Sequence, residues 1–298
     1  MPLSNSSPLP ATGFRSGDGW TDQQIHAAGE DISTDFDFVE GLFGKKERVN
    51  TIIRIFSLAR QLNCKFLLVE QLADDAPLKQ EEDDAVRAND FDFERSKFYR
   101  FSFFNCPIEQ EPNNNNFLGY AVVRKEFYKN ASKSQRVYVY ESVIRPYRTE
   151  NDSGLSGENF LHCKRKYLIK INGYNEDFSV VGAMYAQQNG KNFVCAHVAL
   201  RSVLSLLGNE DISYSEINTL ARRPPHSRDG LTVAQIDNVL KGRGMAMRRM
   251  DKGEFPRMGL SSFSPVLYDY VESGCPALLA FFPFNAQGHI VPVFGPYV

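Results

Sequence analysis

Three reactive side-chain types stand in an order that suits acyl chemistry: the neighbouring Gln187 and Gln188, then Cys195, then His289. A thiolate attacks carbonyl carbon, an imidazole takes the thiol proton and returns it to a leaving group, and an amide N–H holds the intervening oxyanion. Cys195 follows a polar stretch, Gln-Gln-Asn-Gly-Lys-Asn at 187–192, and begins a run whose apolar residues at 195, 198, 199, 203, 206 and 207 repeat at helical spacing. Gly208 stands where such a helix would stop. The thiol is therefore placed in a first helical turn, where the positive end of the helix dipole favours the thiolate. A structural cysteine in a helix more often lies in the middle of the apolar stripe.

The histidine comes from a different kind of element. Residues 275–282 read as a buried strand, 285–288 as a turn and 289–294 as a second strand, so His289 lies at a strand mouth. Alone, a histidine beside a turn reads as a surface residue; together with Cys195 it reads as a general base. Gln188, with Gln187 as the second choice, is then the side chain that aims an amide N–H at the oxyanion, beside the backbone N–H of Cys195.

On these residues the stretch from about 187 to 294 resembles the papain-like cysteine peptidases, and in particular a bacterial branch that includes the double-glycine (bacteriocin leader) peptidases. The matching text is Gln188 with Cys195-Ala196-His197-Val198-Ala199-Leu200, then Gly230-Leu231-Thr232 at the entry to a later helix, then Gly288-His289-Ile290-Val291-Pro292-Val293. The resemblance implies that Cys195 is the nucleophile, His289 the base and Gln188 the oxyanion donor. It leaves His197 a packing role, along the helix from the thiol. It also implies an Asp or Asn on the strand after the histidine, and no acidic or amide residue follows His289 here. The expectation is that the chain is a shortened form of a longer protein, the alternatives being a Cys-His dyad or a carboxylate from elsewhere.

Other elements must position this site. In the C-terminal half, Ser213 to Glu216 and Thr232 to Gln235 have the form of capping boxes before apolar-periodic helices, with Pro224 and Pro225 between them. Residues 245–247 read as a short strand, and Ser264-Pro265 opens a helix that stops at Gly274. With the nucleophile on the first helix and the base on the sheet, residues 181–298 fit a papain-like plan, a helical part packed on an antiparallel sheet. Residues 39–180 read as a mixed, sheet-rich N-terminal domain of unknown role. It has an amphipathic helix at 49–62, a buried strand at 65–70 and further strands at 99–104, 117–123, 137–140 and 167–171. Asn-rich 112–116 and Asn151-Asp152-Ser153-Gly154 are turns, and the acidic run at 74–84 is a solvated loop. Residues 1–38, rich in Ser, Pro, Gly and Thr, read as a mobile tail, within which Trp20 to Gln24 either start a short docking helix or stay disordered. The expected fold class is thus α+β.

Composition removes several function classes. A net charge of −2, with no basic stripe, argues against a nucleic-acid partner. Five cysteines, at 64, 106, 163, 195 and 275, form no Cys-x-x-Cys, so a reduced, cytoplasmic protein is expected. No apolar run approaches a membrane span, and no signal-peptide pattern opens the chain. His162-Cys163 has no second pair at ligand spacing, and neither a phosphate loop nor a dinucleotide fingerprint occurs, so no metal or cofactor is expected. The expected activity is that of a thiol-dependent hydrolase on a peptide or protein substrate, a cysteine peptidase or isopeptidase. An acyl transferase through the same thioester and a catalytically weak binding or regulatory module are the alternatives.

Overall fold

The computed structural model of the chain describes residues 20–27, 32–44, 50–73, 93–129, 136–146, 165–188, 194–208, 211–223, 230–251, 253–259, 262–281 and 288–294. Residues 1–19, the acidic run, the turn at 151–154, His162, Cys163, Pro224, Pro225 and the start of the turn before His289 lie outside the described residues. The elements are β1 (Trp20–Ala27), α1 (Ile32–Phe43), α2 (Asn50–Gln61), β2 (Phe66–Leu72), β3 (Phe93–Phe104), β4 (Phe117–Tyr128) and β5 (Arg136–Ile144). There follow β6 (Arg165–Lys170), β7 (Asp177–Gly182), α3 (Cys195–Gly208), α4 (Tyr214–Leu220), α5 (Val233–Gly242), α6 (Ser264–Glu272), β8 (Ala277–Phe281) and β9 (His289–Val293). The fold is mixed helix and sheet, α+β, with antiparallel sheets: a meander in the order β1-β2-β3-β4-β5 and the two hairpins β6-β7 and β8-β9.

The large sheet is buried on both faces, which is why its strands read as almost continuous apolar runs. Alternation divides them. Leu67, Val69, Phe101, Phe103, Ala121, Val123 and Val139 face α1 and α2, which contribute Val39, Phe43, Ile52, Ile55, Phe56 and Ala59. The α2 residues recur every three or four positions, as one helical face requires. Asn63, in the left-handed region at φ 62°, ends that helix, and the Cys64 N–H returns to the Ala59 carbonyl at 3.0 Å. On the opposite face Phe66, Leu68, Phe98, Phe104, Tyr120, Val122 and Tyr140 join a second core cluster. That cluster also holds Tyr167 and Ile169 of β6, Phe178 and Val180 of β7, Leu200 and Leu204 of α3, Ile217 of α4, and Ile236 and Val239 of α5, so it runs across position 180.

Two backbone irregularities matter. Gly119 lies at φ 140°, and a Cβ there would come within 2.2 Å of the Val143 carbonyl oxygen, so the close approach of β4 to β5 requires glycine. Further along, Val122 pairs with Glu141 but Val123 with Val139, leaving Tyr140 as an extra residue on β5. A bulge of this kind re-aims side chains. Here it turns Glu141 to the same face as Tyr140, under α3.

Several expectations change. Residues 20–27 are not a tail but a strand antiparallel to β2, and 32–43 form a helix. The tail composition belongs to the stretch before Trp20; from Trp20 to Ala27 neither Gly nor Pro interrupts the donors that a β2 edge demands. Residues 245–247 form no strand: the Met245 N–H instead closes α5 on the Leu240 carbonyl, at 2.9 Å. Thr232 and Gln235 make the full capping box, whereas Ser213 caps Glu216 one way only, because the Glu216 carboxylate is held by Arg243. Gly274, at φ 78°, follows α6 as expected. No helix among the described residues is long and apolar enough to cross a membrane.

Candidate active site

The approach to the site is made along the edge of the five-stranded sheet. Tyr185 and Ser142 exchange both backbone hydrogen bonds at 2.8 Å, and the Gln187 N–H donates to the Val139 carbonyl at 2.9 Å. The Gln187 side chain completes this arm, its Oε1 accepting from the Val139 N–H at 3.0 Å in place of a strand carbonyl. Gln187 is therefore engaged with β5. Gln188, the next residue, reaches the other way: its Nε2 lies 3.4 Å from Nε2 of His289.

Cys195 is the first residue of α3, half-buried and carrying a free thiol. The first helical bond runs from the Val198 N–H to the Val194 carbonyl at 2.9 Å, so the Cys195 N–H is one of the donors that a helix start leaves without an intrahelical acceptor. His289 is the first residue of β9, and β9 packs against α3. Across the hairpin His289 pairs with Phe281, whose ring meets the imidazole edge-to-face at 5.2 Å.

The rest of α3 is anchored by polar groups set among its apolar ones. Arg201, buried, pairs with the Glu141 carboxylate beneath it and lies 4.3 Å over the Tyr140 ring. Tyr120 donates its hydroxyl to the same carboxylate at 2.9 Å. Burial pushes Glu141 up to about 7, with Asp211 adding to it and Arg201 and Tyr120 pulling the other way. Ser205 shares a 2.6 Å hydrogen bond with Tyr167, and Arg165 donates to the Ser205 carbonyl at 3.2 Å and to Asp211 at 3.3 Å. A buried charge left alone is costly, so these pairs fix which side of α3 faces the sheet.

His197, two residues from the thiol, belongs to this anchoring set. Its Nε2 meets Asn218 Oδ1 at 2.8 Å, and Arg223 donates to the same oxygen at 3.2 Å. An amide oxygen only accepts, so the ring carries its proton on Nε2. Nδ1 is buried without a partner, and burial, with Arg223 adding to it, drives the group down to about 4. At neutral pH His197 is an uncharged strut between α3 and α4.

The structure thus brings Gln188 and His289 together on the flank of α3, whose first residue is Cys195, and gives Gln187 to the sheet. Glu141 beside the bulge, its partner Arg201 and the Tyr185 arm were not foreseen. A carboxylate inside the apolar run 137–144 and an arginine inside the apolar run 198–207 were the signals available for the first two. Among the described residues no group of three His, Cys, Asp or Glu side chains is placed to hold a metal ion. Set against family models, curated proteins and solved structures, the chain finds no match.

Proposed function

We propose that this chain is a thiol-dependent hydrolase of the papain-like kind, a cysteine peptidase or isopeptidase, with Cys195 as nucleophile, His289 as base and Gln188 as oxyanion donor. The observation that carries the reading is the Gln188 amide at 3.4 Å from the His289 ring, on a strand packed against the helix that Cys195 opens. In this scheme His289 takes the Cys195 proton and the thiolate bonds to the carbonyl carbon of a peptide or isopeptide. The carbonyl π pair moves to oxygen, where the Cys195 N–H and the Gln188 amide meet it. Collapse breaks the C–N bond, the amine leaves with the proton from His289, and water, deprotonated by the same ring, releases the acyl group from sulfur.

The test is chemical and then kinetic. Iodoacetamide near neutral pH should modify Cys195 ahead of the cysteines at 64, 106, 163 and 275, and prior alkylation or Cys195→Ala should abolish cleavage of any peptide hydrolysed from a mixed library. Dominant labelling at another cysteine, or cleavage that survives Cys195→Ala, would remove the proposal.

A further inference from the structure

We infer that Gln187 is a positioning residue for Gln188: its side-chain oxygen stands in for its own main-chain carbonyl at the edge of β5, which lets the chain leave the sheet in the direction that sets the Gln188 amide beside His289. This rests on the reading of Cys195, His289 and Gln188 given above, and adds to it that the five-stranded sheet is part of what holds the site.

Tyr185 and Ser142 exchange both backbone hydrogen bonds at 2.8 Å, as a hydrogen-bonded antiparallel pair does. In a regular ladder the next such pair would be Gln187 with Tyr140. Tyr140 is the extra residue of the bulge, and Val139 takes its place. Half of the resulting pair is main chain, the Gln187 N–H on the Val139 carbonyl at 2.9 Å. The other half is not: the Val139 N–H donates to Gln187 Oε1 at 3.0 Å instead of to the Gln187 carbonyl. Val139 is fully buried, so its N–H must find an acceptor within the protein. With the side chain supplying one, the peptide unit between 187 and 188 is not held in the ladder and turns out of the sheet. Met184 and Ala186, buried in the core cluster, fix the arm up to that point. One residue further on, the Gln188 amide nitrogen stands 3.4 Å from Nε2 of His289. Without Oε1, the acceptor a ladder would offer the Val139 N–H is the Gln187 carbonyl. Taking it would continue the strand and swing Gln188 off its heading.

The test separates the oxygen from the bulk. Gln187→Leu and Gln187→Met keep a side chain of similar size and lose the amide oxygen, whereas Gln187→Glu at pH 8 keeps an acceptor at the same reach. On a peptide that the wild-type chain hydrolyses, both acceptor-free variants should lower kcat on the order of 10- to 100-fold, the range an unmade hydrogen bond to a buried N–H commands. Gln187→Glu should recover a rate near that of wild type. Gln187→Leu added to Gln188→Ala should lower the rate little further, because the first acts through the second. The ring ¹H and ¹⁵N signals of His289, assigned through His289→Ala, need no substrate: Gln188→Ala should shift them, and Gln187→Leu or Gln187→Met should reproduce that shift. Acceptor-free variants with wild-type kcat and unmoved His289 signals, a loss that Gln187→Glu shares in full, or losses that add in the double variant overturn the positioning role while leaving the Cys–His reading in place. Cleavage that survives Cys195→Ala overturns that reading instead, and the His289 signals decide the positioning role in either case.

Discussion

His197 offers a quantity that can be worked through. Its ring is neutral in the folded chain down to about pH 4, whereas an unfolded histidine titrates near 6.5. A depressed folded value means that the unfolded state binds the extra proton first. The stability contributed by the neutral ring is thus complete above 6.5 and is lost as pH falls through the window from 6.5 to 4. Between pH 7 and pH 5, linkage at about 1.4 kcal/mol per pH unit makes that loss about 2 kcal/mol. The physical cause is the buried Nδ1, where a new N–H would find no acceptor. The comparison variant is His197→Gln, which has no proton to gain and can still reach Asn218. Urea denaturation of both proteins at pH 7, 6 and 5 isolates the residue, because every other titrating group cancels. Wild type should lead at pH 7, and its lead should shrink by about 2 kcal/mol at pH 5. A lead that stays constant across the series would show that His197 is not held neutral by burial.

Two further substitutions probe how α3 and the sheet are held. Arg201→Met leaves the Glu141 carboxylate buried without its cation and should cost roughly 3–5 kcal/mol at pH 8, most of it recovered in the double variant with Glu141→Gln; chemical denaturation of all three completes the cycle. Gly119→Ala should cost roughly 3 kcal/mol, since it adds a side chain at φ 140° and drives a Cβ against the Val143 carbonyl; a melting temperature within a degree or two of wild type would mean that β4 and β5 can separate there at little expense.

The helix that opens at Cys195, the strands after 65, 99, 117, 137 and 289, and the caps at Ser213 and Thr232 were all legible because each is a local matter of period, cap or turn. Gln188 and His289 were singled out together, and the structure sets their side chains 3.4 Å apart. What could not be read was pairwise and distant. A bulge at Tyr140 depends on how β4 sits beside β5, and nothing local to 137–144 fixes that register. The strand at 20–27 forms because β2 presents an edge to it, not because its own residues insist on extension. Gln187 and Gln188 are the same residue type one position apart; only the sheet edge, which claims the first, separates them. His197 shows the converse, a motif residue beside the thiol whose partners come from α4 and its C-terminal flank.

The two halves of the site also differ in stiffness. Every residue of α3 from Ala196 to Leu206 is buried, while no residue of β8 or β9 is. Elements that bury little open at low free energy, in units that need not wait for the whole molecule. The residue proposed as nucleophile thus opens a helix built into the core, and the one proposed as base rides on a hairpin that buries little. If the proposed roles hold, activity should be lost on warming before the fold is, as the hairpin that carries His289 lifts from α3. Under the same proposal, a ligand that touches both α3 and the hairpin would hold the hairpin down, so that occupancy and rigidity would rise together.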